Sequence, residues 1–108
     1  GGIDIWIFTS QGFLSIVAHR EIPDSLLVRA RKRHHLEDLF PDSEIIELET
    51  ADYRFRTTAT RFEVDDIISD YIMNIDYDNF KNSVPDFEYR HATGRVWSTM
   101  YAYGNSGI

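Results

Sequence analysis

Tyr53-Arg54-Phe55-Arg56-Thr57-Thr58-Ala59-Thr60-Arg61-Phe62-Glu63-Val64 holds two periodicities, and the place where they meet decides the fold. Up to Thr60 the residues alternate, with Tyr53, Phe55, Thr57 and Ala59 on one side and Arg54, Arg56, Thr58 and Thr60 on the other. That is the pattern of a half-buried strand. From Thr60 onward Thr60-x-x-Glu63 is a capping box, in which the Thr60 hydroxyl meets the Glu63 N–H and the Glu63 carboxylate reaches back to Thr60. Val64, Ile67, Ile68, Tyr71, Ile72 and Ile75 then recur at helical spacing, opposite Glu63, Asp65, Asp66, Ser69 and Asp70. A strand therefore runs straight into an amphipathic helix, and Ile68 and Ile72, at the centre of the stripe, are expected in the core.

Working back toward the N-terminus, Glu44–Glu49 precedes this strand across Ala51-Asp52 and suits a hairpin partner. Leu36, Leu39 and Phe40 predict a short helix over 32–40, stopped by Pro41. Leu26–Arg31 alternates between an apolar face and one that ends basic. Ile5–Thr9 and Phe13–His19 form a hairpin around Ser10-Gln11-Gly12. Toward the C-terminus, Phe80 and Val84 mark a short helical turn. Pro85 can open a last helix to about Tyr103, closed by Gly104, on which Tyr89, Thr93, Val96, Trp97, Met100 and Tyr103 share a face. The order ββ-βα-ββ-αα predicts an α+β fold with a mostly antiparallel sheet of about five strands and helices on one face. The helix between Leu26–Arg31 and Glu44–Glu49 resembles half of a ferredoxin-like sandwich.

The 108 residues suit one domain spanning 1–108, with Gly1-Gly2 read as the remnant of a tag. With 43% hydrophobic and 14% aromatic residues the chain can fill a core, which sets it apart from disordered sequences. It has no Cys, so thiol chemistry, disulfides and cysteine metal sites are excluded. No apolar run is long enough to span a bilayer, and a cytoplasmic location is expected. A net charge of −7 disfavours general binding to nucleic acid. That charge is unevenly spread: Arg20, Arg29, Arg31, Lys32 and Arg33 fall within 19–35, whereas 37–52 and 63–78 are acidic.

Trp6-Ile7-Phe8-Thr9, Gly12-Phe13, Val17, His19-Arg20, Leu27-Val28-Arg29-Ala30-Arg31 and Asp52-Tyr53-Arg54-Phe55-Arg56 make a distinctive series. It continues with Ile75-Asp76-Tyr77-Asp78-Asn79-Phe80-Lys81 and His91-Ala92-Thr93-Gly94-Arg95-Val96-Trp97. Together they resemble a family of small uncharacterised proteins of bacteria and their phages, over nearly the whole chain. The resemblance implies a compact cytoplasmic protein and supplies no catalytic or ligand residue.

Arg29, Arg31, Arg54 and Arg56 are the most suggestive group. Each pair sits at i, i+2 and so points to one side of its strand. If both strands lie in one sheet, four guanidinium groups cluster on its helix-free face and need anionic company, either a phosphate-rich ligand or Glu47 and Glu49. His19 and His91 are the histidines that a ligand site could add. His91-x-Thr93 resembles half of the paired motif of 2H phosphoesterases, but that chemistry needs a second copy and none exists. Arg33-His34-His35 makes a poor chelate, because adjacent helical side chains diverge by about 100°. Asp65, Asp66, Asp70, Asp76 and Asp78 read as a solvated face. No Gly-rich phosphate loop, catalytic triad or zinc-protease motif is present, so no catalytic residue, metal or cofactor is assigned. These features favour a non-enzymatic protein-interaction module, with a nucleotide- or phosphodiester-binding protein second and an acidic DNA mimic third.

Overall fold

The computed structural model describes residues 4–106. Gly1-Gly2, read as a tag remnant, lies outside them. Two compact units divide the chain between Asp76 and Tyr77, and each is taken by itself.

In the first unit β1 (Ile5–Phe8), β2 (Phe13–Ala18), β3 (Ser25–Ala30), β4 (Ile46–Glu47) and β5 (Phe55–Thr60) form one antiparallel sheet in the order β1-β2-β3-β5-β4. Helix α1 (Arg33–Glu37) connects β3 to β4, and β5 inserts between them. Since β5 runs antiparallel to both neighbours, β3 and β4 run the same way, and β3–α1–β4 is a split β-α-β unit. That is the ferredoxin-like half read from the sequence. On the other side of β3, the β1–β2 hairpin completes the sheet.

The period of two in each strand delivers Leu14 and Ile16, Val28 and Ala30, and Ala59 to one face. Leu36 and Phe40 from the α1 segment and Val64 from α2 (Arg61–Met73) close over them. Leu14, Val28, Ala30 and Leu36 are fully buried. Helices α1 and α2 both pack on this face, and the other carries no helix of the first unit.

The capping box forms as read: Thr60 Oγ1 accepts the Glu63 N–H at 3.1 Å, and Glu63 Oε1 accepts the Thr60 N–H at 3.4 Å. Thr60→Ala should therefore cost about 1 kcal/mol in urea unfolding, and Thr60→Ser close to nothing. The stripe beyond the box is shorter than its periodicity suggests. Val64 is buried and Ile67 and Ile68 pack against the core, but Ile72 is 57% exposed and Ile75 is exposed as well. Ile72 is thus not a core residue; in the last turns of α2 it is Tyr71 that reaches back to the first unit's sheet, its hydroxyl accepting the Ser10 N–H of the β1–β2 turn at 2.8 Å.

The β1–β2 turn is held by Thr9, whose Oγ1 donates to the Gly12 carbonyl at 3.0 Å and accepts the N–H groups of Gln11 and Gly12. Under it lies His35, which is buried and accepts the Phe13 N–H at Nδ1.

The second unit comprises α3 (Phe80–Ser83) and α4 (Phe87–Gly104). Helix α4 starts two residues after Pro85, because Asp86 is its N-cap, accepting the Tyr89 N–H at Oδ1. Gly104 is the last helical residue and Asn105 makes the cap, so Gly104 does not close the helix. On the shared face of α4 only Tyr89 is buried and Thr93 half-buried, while Val96, Trp97, Met100 and Tyr103 are exposed. No helix among the described residues is long and apolar enough to cross a membrane.

Candidate anion-binding site

The helix-free face is set by the strand register. Trp6 opposes Ser15, Ser15 opposes Arg29, Arg29 opposes Arg56, and Arg56 opposes Ile46, giving one row across the sheet. Val17, Leu27 and Thr58 make the next row, two residues along each strand. A concavity of about 810 Å³ lies over Arg29, Arg56 and Ile46 of the first row and over the second row, bounded by the β2–β3 connection with His19 and Glu21 and by Asp4, while Ser15 and Trp6 do not line it.

The register places two arginines directly opposite each other, where side chains approach closely and like charges are destabilising. Both are half-buried. Arg29 is held by one hydrogen bond to Ser15 Oγ at 2.8 Å and lies over the Tyr53 ring, 4.6 Å from its centre. Arg56 donates to the Tyr53 carbonyl at 3.1 Å. Neither pairs with a carboxylate among the described residues. The Nε of each is buried with no hydrogen-bond partner among the described residues. A buried donor left unsatisfied costs about 1–3 kcal/mol, and such groups are rare enough in folded proteins to call for a reason.

The other two arginines of the quartet are neutralised. Arg31 forms an ion pair with Asp52 at 2.7 Å, donates to the Asp52 carbonyl and covers the Tyr53 ring. Arg54 precedes β5 and pairs with Glu47, with Glu49 at 3.7 Å. The carboxylates that the sequence offered to the whole quartet are thus taken by Arg54, and Asp52, in the preceding bend, serves Arg31. Tyr53 also departs from its expected side. It lies in that bend outside β5 and sits under Arg29 and Arg31, whereas alternation from Phe55 would send it to the core face.

Of the histidines, His19 reaches the concavity and His91 does not line it. His19 Nδ1 accepts the backbone N–H groups of Glu21 and Ile22 at 3.1 Å each. In the neutral tautomer this leaves the proton on Nε2, so that His19, which lines the concavity, has a donor to offer. His91 is an exposed residue of α4 in the second unit, and Thr93 Oγ1 is bonded to the Arg90 carbonyl. Of the adjacent pair, His34 is exposed and His35 is the buried support of the β1–β2 turn. No group of three or more metal-ligating side chains occurs among the described residues. The sequence reading missed Ser15 and Trp6 as neighbours of the arginines. The available signal was Ser15, a lone polar residue between Leu14 and Ile16 on a strand whose partners could be counted off from the hairpin turn.

The hydrogen bond from Arg31 outweighs the opposing effect of desolvation and, supported by the charges of Arg31 and Arg29, holds the Asp52 carboxyl below the ordinary carboxylate range. A carboxyl whose folded pKa is depressed contributes stability above its unfolded value and loses it as pH falls through the folded one. Asp52 is fully exposed, so the effect on stability is small and the titration itself is the better readout. Arg31→Met should raise the Asp52 midpoint in carboxyl-detected NMR, and an unchanged midpoint would show that the pair does not persist in solution. Compared with protein-family models, with curated proteins and with solved structures, the chain matches none.

Proposed function

We propose that the protein is a non-enzymatic binding module that holds a small anion at Arg29 and Arg56. The observation that carries this reading is the contrast within the quartet. Arg31 and Arg54 have carboxylates, while the directly opposed pair Arg29 and Arg56 has none among the described residues and faces a concavity. Guanidinium groups bind phosphate and carboxylate oxygens through charge-assisted, often bidentate bonds. An anion here would relieve the repulsion between the two, and the His19 Nε2–H adds a neutral donor.

Pyrophosphate is the direct probe. Added at a hundredfold excess over its dissociation constant, it should stabilise the fold by about 2.7 kcal/mol, roughly 10–20 °C in melting temperature for a domain of this size. Arg29→Gln with Arg56→Gln should abolish the rise, and Arg31→Gln should leave it. The comparison is made at constant ionic strength, since salts such as sulfate stabilise proteins by exclusion alone. No rise in the wild type, or an equal one in the double variant, would refute the reading.

The protein-interaction reading has an observation of its own in the second unit. Trp97, Met100, Tyr101 and Tyr103 of α4 are all exposed, and Trp97 stacks on Tyr101 with ring centres 5.2 Å apart. Exposed aromatic clusters are enriched where proteins bind one another. Trp97→Ala with Tyr101→Ala should abolish any complex made through this face while α4 stays helical.

A further inference from the structure

We infer that the anion at the arginine pair is the phosphate end of a mononucleotide whose base stacks on Trp6; this rests on the anion-binding reading above. Trp6 belongs to the same row as the arginines, directly opposite Ser15, and Ser15 Oγ accepts the hydrogen bond from Arg29. Ser15 is fully buried, so the aromatic ring and the guanidinium flank one small residue on the open face of the sheet. Neighbouring strands are about 4.8 Å apart, which puts the Trp6 and Arg29 backbones about 10 Å from each other. Arg29 reaches back across part of that gap to Ser15, leaving a span suited to the sugar that separates a base from its phosphates.

Trp6 is two-thirds exposed although it lies in a strand. Its ring is not loose. It meets Phe13 edge to face with centres 5.7 Å apart, and Phe13 is itself stacked on Phe8 at 4.5 Å. An indole braced at one side and open to solvent is a stacking platform for a planar base. The surrounding charge selects a short ligand. Asp4 and Glu21 line the concavity and the chain carries a net charge of −7, both unfavourable to a long polyanion. The Val17 and Leu27 side chains give the concavity an apolar floor.

The experiment compares adenosine diphosphate, pyrophosphate and adenosine by calorimetric titration. Adenosine diphosphate should bind the wild type more tightly than pyrophosphate by roughly five- to a hundredfold, the range expected for one base–aromatic stack. Trp6→Ala should bring adenosine diphosphate to the level of pyrophosphate and leave pyrophosphate itself unchanged. Arg29→Gln with Arg56→Gln should remove binding of both. Trp6 is an exposed edge-strand residue, and circular dichroism on the variant checks that the fold is kept. If pyrophosphate binds as well as adenosine diphosphate, or if the preference survives Trp6→Ala, the nucleotide inference falls and the anion reading stands. If neither anion binds, both fall. Equal binding of adenosine and adenosine diphosphate would also overturn the inference, because the arginines would then play no part.

Discussion

Phe40→Ala is expected to lower the unfolding free energy by about 3–5 kcal/mol, the range for removing a buried aromatic ring from a packed core. Phe40 is 2% exposed, belongs to the main core cluster, and is tied to the preceding helix by its N–H bond to the Leu36 carbonyl at 2.8 Å. Leu36 and Phe40 are the α1-segment residues that close the core over β2 and β3, so the cavity would open at the middle of the first unit. Ile72→Ala is the comparison. On sequence periodicity alone it belongs to the same core, yet its exposure limits the expected loss to about 0.5 kcal/mol. Urea unfolding of the two variants should separate them clearly. Equal losses would mean that the buried face of α2 is longer than the structure shows.

Gly12→Ala should cost roughly 3 kcal/mol, at the upper end for overpacking. A Cβ on Gly12 would fall 2.4 Å from His35 Cγ and 2.6 Å from His35 Cβ, closer than such atoms approach in real structures. The ring has little room to retreat, because it is buried and its Nδ1 is fixed by the Phe13 N–H. The turn around Gly12 is equally constrained by Thr9. His35→Ala in the same chain should recover part of the loss, since the two positions share one contact and their effects are not additive. A neutral Gly12→Ala would show that the turn and the α1 segment are not in contact in solution.

Local signals in the sequence were the informative ones. The strand-to-helix junction at Thr60 could be read because one hydroxyl and one carboxylate three residues apart satisfy each other whatever the rest of the chain does. The β1–β2 hairpin follows in the same way from alternation and turn residues, whereas the insertion of β5 between β3 and β4 is a matter of strand order that no local signal carries, and α1 at Arg33–Glu37 is shorter than the helix over 32–40 that apolar spacing predicts. Three other features were not legible, and each depends on something distant in the chain. Alternation through 53–60 put Tyr53 on the core side, but the bend before Phe55 turns it under Arg29 and Arg31. The four arginines looked equivalent because strand parity gives the face and not the partner. Only the register shows that Arg29 meets Arg56, while Arg31 and Arg54 find carboxylates. By sequence His35 is only one of two adjacent helical histidines that make a poor chelate, and its burial follows from the glycine that lets it lie against the turn.

The most direct test of the anion site is NMR of the arginine side chains, following the Nε–H signals of Arg29, Arg31, Arg54 and Arg56 as pyrophosphate is added. The Nε groups of Arg29 and Arg56 are buried and without hydrogen-bond partners among the described residues, so their protons should exchange slowly with water and be visible before any ligand is present. On titration the signals of Arg29 and Arg56, with that of the His19 Nε2–H, should shift together and saturate, while Arg31 and Arg54 keep the positions fixed by Asp52 and Glu47. If instead all four shift in parallel with ionic strength, or only Arg31 and Arg54 respond, the opposed pair is not an anion site and the proposed function is wrong.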